Sequence, residues 1–418
     1  MNKIFTVAIL GCGGRGAESY GRLFLEQKDK YRIVALCDLL PEKLKKYGEI
    51  FDVANENRFL TDEEFFEKKR ADLLVVSTLD ADHVWQCREG LRLGYDVLLE
   101  KPVTDKAEEC YSLLEAQKKY GGKVLVCHVL RYAGAFRKVG ELLDNGAVGR
   151  LVEIQALEQV SYWHQAHSYV RGNWRRSENT TPMILAKCCH DLDLLQYYAK
   201  STCKSVSSVG DLTYFTAKNA PDGAAKRCLD CKYQDSCPYS AKTIYIENWK
   251  NRGCPENDWP YNILTLKLPL TEKALTEAVK NGPYGRCVFA CDNDVVDHQL
   301  LTMELADETI LSLSMDIFTQ DDCRRTHIKM THGEIFGDER KLHVHRFRRG
   351  HNRVYDFEEL AGHPFHAGAD LRLIEDFVDA LTRPGHPFLC TIEDSIESHR
   401  ICFEAERSRR CGETIRLE

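Results

Sequence analysis

The most specific spacing in the sequence belongs to a run of glycines near the N-terminus. Gly11-Cys12-Gly13-Gly14-Arg15-Gly16 fits the pattern G-x-G-x-x-G, and Asp38 ends the next apolar segment. Gly11 permits a tight turn, Gly13 lets a pyrophosphate approach the backbone, and Gly16 allows close helix packing. The Asp38 carboxylate would accept hydrogen bonds from a ribose diol and repel a 2′-phosphate. We therefore predict that the run and Asp38 bind NAD, with NADP disfavoured. The alternative is glycines that serve only a turn.

The elements that must position this turn alternate along the first 127 residues. Short apolar runs predict strands, and the segments between them predict helices. The predicted strands are 4–10, 32–37, 73–77, 96–99 and 123–127. This order predicts a doubly wound parallel sheet, whose ligands bind beyond the carboxyl ends of the strands. The side chains predicted to line the cofactor site at that edge are Ser77, Thr78, His83, Glu100, Lys101 and His128.

A second group with catalytic chemistry lies in the segment 182–194. On a helix, Lys187, His190 and Asp191 would share one face, given their positions in the sequence. Histidine titrates near neutral pH, and a buried lysine near another cation can lose its proton, so either can act as a base. The neighbouring cysteines and apolar residues favour a partly buried site. From the residues alone, a solvated and ion-paired face remains the alternative.

Aromatic and polar residues are concentrated between residues 162 and 175, after a strand predicted at 152–157. Flat aromatic faces combined with fixed donors and acceptors suit a sugar. We predict a loop here, and its candidate substrate contacts are Tyr162, His164, His167 and Trp174. The alternative is a solvated loop with core aromatics.

A Cys-rich insertion at about residues 220–260 contains three closely spaced cysteines. Cys228, Cys231 and Cys237 have the spacing C-x2-C-x5-C, which resembles part of a structural zinc site. A closed tetrahedral shell would need a fourth ligand from the later cysteines Cys254, Cys287 or Cys291. The alternative is three thiols on a loop.

Composition narrows the class of protein. The chain has 418 residues, enough for two or three domains. Its net charge of −7 argues against a general nucleic-acid surface, and no apolar stretch is long enough to span a membrane. The first apolar run leads into the glycine turn instead of a cleavage site, so a cytoplasmic location is expected. In a reducing cytosol, the 18 cysteines would be thiols or metal ligands.

Residues 303–315 alternate around a polar turn, as a hairpin does. One face of the second strand carries Leu311, Leu313, Met315 and Ile317, and the other carries Ser312, Ser314 and Asp316. This alternation predicts a sheet with one polar face, either solvated or packed against another subunit.

Glu100-Lys101-Pro102, directly after the strand at 96–99, completes a set of features that resembles one family. With the glycine run and a later segment containing His190, the chain is similar to the glucose–fructose oxidoreductase, inositol dehydrogenase and rhizopine-catabolism (Gfo/Idh/MocA) family. The resemblance implies an N-terminal NAD(P)-binding Rossmann domain. It also implies a C-terminal α/β domain with a large, mainly antiparallel open sheet that holds the substrate and often the oligomer interface. Family members act on hydroxyls of sugars or polyols. The resemblance also implies that Lys101 of this chain lies near the nicotinamide.

Two positions depart from the family pattern. Members carry an aspartate four residues before the histidine of the second domain, and Ala186 stands at that position here. Lys187 is adjacent and could replace part of the aspartate's role. Many members have asparagine where this chain has His128, before an Arg-aromatic pair that is kept as Arg131-Tyr132.

We therefore predict an NAD-dependent oxidoreductase with a Rossmann domain at 1–127 and a substrate-binding and oligomerisation domain at 128–418. Lys101 and His190 would flank the reacting hydroxyl, with Lys187 as a second base. The predicted substrate-binding residues are Lys101, Arg131, Tyr162, His164, His167, Trp174, Lys187 and His190. The alternatives are a redox glycosidase that oxidises its sugar transiently, as distant family members do, and a non-catalytic NAD or sugar sensor. The expected partners are a carbohydrate or polyol and further copies of the chain, in a dimer or tetramer.

Overall fold

The first of two β-sheets is parallel. The computed structural model describes residues 3–146, 148–178, 180–256, 258–348, 352–361 and 364–417. The strands of the first sheet are β1 (Phe5–Leu10), β2 (Tyr31–Cys37), β3 (Arg58–Phe59), β4 (Leu73–Val76), β5 (Asp96–Leu99) and β6 (Val124–Val126). Their order is β3-β2-β1-β4-β5-β6, which confirms the predicted doubly wound sheet.

This sheet is apolar on both faces because helices cover both sides. Val7, Ile9 and Leu10 of β1 have no exposed surface, as expected for a central parallel strand. The prediction lacks β3, since two residues are too few for a hydrophobic pattern. A π-helical turn, Gly14–Gly21, leads from the glycine run into the first helix. The helices are α1 (Arg22–Glu26), α2 (Pro41–Ile50), α3 (Asp62–Phe66), α4 (His83–Arg92) and α5 (Glu109–Tyr120).

The second sheet has nine strands and confirms the predicted mainly antiparallel architecture. They are β7 (Leu151–Ser161), β8 (Cys203–Asp211), β9 (His298–Leu305), β10 (Ile310–Thr319), β11 (Cys323–Met330), β12 (Gly333–Asp338), β13 (Lys341–Arg346), β14 (Arg353–Asp356) and β15 (Ile415–Arg416). Their order is β14-β13-β12-β11-β7-β10-β9-β8-β15, and only the β7–β10 pair is parallel among these strands. The predicted hairpin is β9–β10.

One face of the second sheet is buried beneath helices and the other is open. Leu311, Leu313 and Met315 have no exposed surface, whereas Leu300 on the opposite face of β9 is 46% exposed. The helices of this half are α6 (Gly134–Asp144), α7 (Tyr162–Gln165), α8 (Met183–Ala186), α9 (Cys189–Ala199), α10 (Asn248–Asn251), α11 (Tyr261–Leu264), α12 (Glu272–Asn281), α13 (Glu358–Ala361), α14 (Pro364–Thr382) and α15 (Ile392–Cys411). Of the helices in the described ranges, none is long and apolar enough to cross a membrane.

Helix α15 contacts the cores of both halves. Ile392 and Ile396 pack among buried residues of the first sheet and its helices. Ile401 and Cys402 belong to the buried cluster that also contains the inner face of the second sheet. The helix therefore fixes the two sheets relative to each other, and the domain boundary at 127/128 stays a prediction.

Two local predictions are wrong. Residues 162–171 form α7 and a π-helical turn (Ala166–Arg171), not a loop. This segment contains polar side chains that are buried, so its helix does not show the usual pattern of apolar and polar faces. Arg171, for example, donates to the carbonyls of Arg286 and Tyr239. The helix expected to carry Lys187 and His190 on one face is broken, because α8 ends at Ala186 and α9 begins at Cys189.

Candidate active site

The glycine turn lies against β4 and leaves its other side open. Gly11 has a φ of +86°, and a Cβ there would lie 2.4 Å from the carbonyl oxygen of Ser77. A Cβ on Gly16 would lie 2.0 Å from the Gly11 carbonyl oxygen. In contrast, a Cβ on Gly13 or Gly14 would meet nothing within 4 Å. The turn therefore needs glycine for packing at two positions and offers open backbone at two others, which fits the approach of a dinucleotide pyrophosphate.

Asp38, at the end of β2, is fixed beside this turn. Its Oδ2 accepts a hydrogen bond from the Cys12 amide at 2.8 Å and lies 3.2 Å from the Lys43 ammonium. Its Oδ1 accepts from the Leu40 amide at 3.0 Å. The carboxylate is thus held at the edge where a ribose bound to the glycine turn would lie.

Arg15 ties the glycine turn to the second half of the chain. Its Nε donates to Glu100 at 2.7 Å, and its Nη2 donates to Asp370 of α14 at 2.6 Å. The Tyr20 hydroxyl also donates to Glu100, at 2.6 Å. Burial alone would raise the pKa of Glu100, but the Arg15 charge holds that pKa below its ordinary value. Arg15 and Glu100, both predicted to contact the cofactor, therefore bind each other.

The turn at Lys101 and Pro102 is held by two buried histidines. His83 Nδ1 lies 2.7 Å from the Pro102 carbonyl oxygen. The next amide, that of Val103, donates to His399 Nε2 at 2.8 Å. His83 has only 1% of its surface exposed, and this contact positions the turn. Its predicted contact with the cofactor stays a prediction.

The hydroxyls of Ser77 and Thr78 donate hydrogen bonds to other residues of the first half. Ser77 Oγ donates to the Leu10 carbonyl at 2.9 Å, and Thr78 Oγ1 donates to Gln86 Oε1 at 2.5 Å. Both residues lie at the predicted edge of the sheet, and their side chains brace β1, β4 and α4.

Lys101 reaches from the first half to a histidine pair in the second. Its Nζ donates to the Ala186 carbonyl at 2.9 Å. The rings of His128 and His190 are 5.7 Å apart, and Nδ1 of His190 has no hydrogen-bond partner among the described residues. Burial, reinforced by the Lys101 charge, holds the pKa of His190 well below its ordinary value. A neutral imidazole with an unpartnered nitrogen therefore lies within electrostatic range of a lysine, an arrangement that suits proton transfer.

Asp80 is a carboxylate of this site that the sequence analysis missed. It is 3% exposed, accepts a hydrogen bond from Thr181 Oγ1 at 3.0 Å, and is also hydrogen-bonded by the Trp174 side chain. Burial raises its pKa, whereas the charges of His83 and Lys101 lower it. The sequence signal that could have identified Asp80 is its position just after β4, at the ligand edge of the sheet. Trp174, a predicted substrate contact, holds Asp80 in place.

Lys187 belongs to a buried ionic group on the inner face of the second sheet. Its Nζ lies 3.2 Å from Glu158 Oε1, and Arg324 Nε lies 2.9 Å from both Glu158 Oε2 and Asp191 Oδ1. Burial raises the pKa of Glu158, against the opposing effect of Arg324. Glu158 and Arg324 are paired across β7 and β11, a juxtaposition that no local pattern reveals.

The predicted aromatic contacts separate into different environments. His164 Nδ1 lies 2.8 Å from Asp322 Oδ1, near Lys187, and stays partly exposed. His167 is 2% exposed, and its Nδ1 lies 2.9 Å from the Tyr245 hydroxyl. We therefore correct the prediction for His167, which is a buried residue packed against Tyr245 and Trp259 of the insertion. Tyr162 is half-buried, with its ring 6.1 Å from that of Tyr239.

Arg131 is likewise a core residue. Its Nε and Nη2 donate to the two carboxylate oxygens of Asp193, each at 2.7 Å, and Nη1 donates to the Leu389 carbonyl at 2.6 Å. With 4% of its surface exposed, its donors are committed to the protein. The prediction that Arg131 binds substrate is corrected to a role in joining α9 to the segment before α15.

The zinc prediction is not supported. Cys228, Cys231 and Cys237 line one small pocket together with Cys287. Within the described ranges, however, no three His, Cys, Asp or Glu side chains are placed to hold a metal ion. The Arg171 guanidinium lies in the same pocket, with Nη2 at 3.4 Å from the Cys228 sulfur. A buried cation at this place opposes the binding of a second one.

A Rossmann sheet carries the open glycine turn and Lys101, and Lys101 is bonded to the segment of the second half that leads to His190. Together these features define a dinucleotide-binding oxidoreductase. Residues 5–128 match the oxidoreductase family with an NAD-binding Rossmann fold, and residues 136–226 match the Gfo/Idh/MocA C-terminal domain. The chain belongs to the Gfo/Idh/MocA oxidoreductase family.

Known relatives are distant in sequence and close in fold. YteT of Bacillus subtilis, a provisionally assigned oxidoreductase, is 23% identical over 80% of this chain and 76% of its own length. The NADP⁺-dependent scyllo-inositol 2-dehydrogenase of the same organism is 29% identical over 42% of this chain, which spans 46% of that protein. An oxidoreductase from Agrobacterium radiobacter, solved with NAD⁺, L-tartaric acid and magnesium, superposes with a TM-score of 0.70 at 13% identity, covering 99% of this chain and 98% of its own.

Proposed function

We propose that this protein is an NAD-dependent oxidoreductase that acts on a hydroxyl group of a sugar, glycoside or polyol. The observation that carries the proposal is Lys101, which is anchored to the Ala186 carbonyl and whose charge acts on a neutral His190 with an unpartnered nitrogen. The similarity to an inositol dehydrogenase supports the substrate class. The 18 free thiols support a reducing, cytoplasmic environment.

The chain's own residues supply binding and proton transfer. Bound NAD would accept the hydride from the carbinol carbon. The Lys101 ammonium would donate a hydrogen bond to the reacting hydroxyl, and neutral His190 would take its proton through Nδ1. Asp80 would hold the charge of Lys101 in place, as a substitute for the aspartate that Ala186 replaces. Lys187, paired with Glu158, would bind neighbouring hydroxyls.

Two further properties belong to the same proposal. Asp38 would bind the ribose hydroxyls and so favour NAD over NADP. The open face of the second sheet would be covered by another copy of the chain, in a dimer or tetramer.

The proposal is tested by incubating the protein with NAD and a panel of sugars, polyols and nitrophenyl glycosides, while NADH and nitrophenol are recorded separately. We expect NADH formation with at least one substrate. Lys101→Ala should reduce turnover by at least about a hundredfold, because the group that orients the hydroxyl is removed, while NAD binding persists. Lys106→Ala, at a lysine that is 51% exposed beside the same turn, is the matched control.

The other outcomes have definite meanings. Nitrophenol release without net NADH would replace the proposal by a redox glycosidase. NAD binding with no turnover of any compound would favour a sensor, and normal turnover by Lys101→Ala would refute the role of Lys101.

A further inference from the structure

Two tryptophans from distant parts of the chain form an exposed aromatic pair. Trp163, in α7, lies 5.1 Å from Trp259, which comes from the end of the Cys-rich insertion. Trp259 is 37% exposed and Trp163 is half-buried. The ring of His167 packs edge-on against Trp259 at 5.1 Å, which fixes the indole from the core side. The Trp259 indole is therefore supported from the core side and remains partly exposed to solvent.

This pair adjoins the candidate active site through His164. The His164 ring lies 4.8 Å from the Trp259 ring, and its Nδ1 contacts Asp322 at 2.8 Å. The charges of Lys187 and Arg324 both act on His164, and the charge of Arg324 also acts on His190. His164 and His190 are therefore both within electrostatic range of Arg324.

The reacting centre and the tryptophan pair suit different parts of a ligand. Around Lys101 and His190, hydrogen-bonding groups can hold a reacting sugar or polyol by its hydroxyls. At the tryptophans, the exposed surface is flat and apolar, flanked by the polar His164 and Asp322. A pyranose ring has the matching surface, with C–H groups on one face and hydroxyls at its rim. A free monosaccharide or cyclitol bound at the reacting centre would leave the aromatic end uncovered.

We propose that Trp163, Trp259 and His164 form a subsite for a second sugar ring, so that the preferred substrate is a glycoside or disaccharide instead of a free monosaccharide or cyclitol. This inference rests on the proposed oxidoreductase function for the reacting ring. The subsite itself is inferred from the aromatic pair and from its contact with His164.

The test compares kcat/KM for disaccharides (cellobiose, maltose, lactose and melibiose) with that for glucose and galactose. We expect at least one disaccharide to be preferred over its component sugars. Trp259→Ala should lower that preference about tenfold, since one aromatic stacking surface is lost. Trp259→Phe should keep most of it, which separates stacking from folding. Trp85→Ala, at a tryptophan that is 44% exposed on α4, is the matched control and should keep all of it.

A preference for monosaccharides in the unmodified protein, or an unchanged preference in Trp259→Ala, would overturn the subsite while leaving the oxidoreductase function standing. If no sugar is oxidised, calorimetric titration of the protein and NAD with the same disaccharides gives a separate answer. Binding that Trp259→Ala weakens would support the subsite although the proposed function fails, and absence of disaccharide binding would overturn the subsite.

Discussion

The Asp38 carboxylate lies beside the glycine turn, where the proposed cofactor would place its ribose. The Cys12 amide and Lys43 both contact its Oδ2, so the side chain is fixed at the end of β2. In the proposed function, a carboxylate at this place would accept hydrogen bonds from the ribose diol of NAD and repel the extra phosphate of NADP. Lys43 is the ion-pair partner of Asp38. If the carboxylate were removed, the Lys43 ammonium could pair with the 2′-phosphate of NADP instead.

We therefore expect Asp38→Ala to weaken NAD binding about tenfold and to relax the discrimination against NADP. The measurement is the dissociation constant of each nucleotide by fluorescence or calorimetry. The double variant Asp38→Ala/Lys43→Ala is the control, and it should lose the improved NADP binding. An NAD-to-NADP ratio that stays the same in Asp38→Ala would show that this carboxylate does not read the ribose.

At the scale of elements, the second sheet presents two unlike faces. Its inner face carries the core and the ionic group of Glu158 and Arg324. Its outer face exposes large apolar side chains on several strands: Leu157, Val209, Leu300, Ile310, Phe318 and Val354. Leu300 is paired with Val209 on the neighbouring strand, so at least part of this apolar surface is contiguous. Surfaces of this kind commonly mark interfaces.

We expect the protein to have a solution mass of two or four times 47.9 kDa. Leu300→Glu should return it to the monomer mass, because a charge would be buried between subunits. Light scattering coupled to gel filtration measures both. Ile4→Glu, at an apolar residue that is 50% exposed beside the first sheet, is the control and should keep the assembled mass. A monomeric unmodified protein would contradict the assignment of this face.

At the scale of the whole molecule, several histidines are buried in the neutral state. Burial holds the pKa values of His128, His167 and His190 well below the ordinary value and lowers that of His399 to about 3. In the unfolded chain the same rings titrate near the ordinary pKa of 6.5. The unfolded state therefore binds more protons below this pH, and the folded state loses stability as the pH falls.

Each such histidine should lower the free energy of unfolding by about 1.4 kcal/mol for each pH unit below about pH 6.5. Urea unfolding between about pH 5 and 7 measures the slope. His128→Asn should make it shallower by one histidine's share, whereas His332→Asn, at an exposed position, should leave it unaltered. Equal slopes in His128→Asn and the unmodified protein would mean that His128 takes up a proton in the folded state.

Much of the first half could be predicted because its signals are local. The glycine run, Asp38 and the Lys101 turn each follow directly from a strand end, and consecutive parallel strands bring their ends to one edge. Periodicity alone was sufficient to identify the β9–β10 hairpin and its buried face.

Tertiary structure decided which side chains meet at the site. Asp80 joins Trp174 and Thr181, and Glu158 joins Arg324, through contacts between residues far apart in the sequence. Arg131, His167 and Cys228 have the residue types of a binding site, yet partners from distant segments bind them in the core. Residue type and spacing therefore determined the fold class and the cofactor turn, whereas burial and long-range pairing, which no local pattern encodes, determined which polar groups remain free to act.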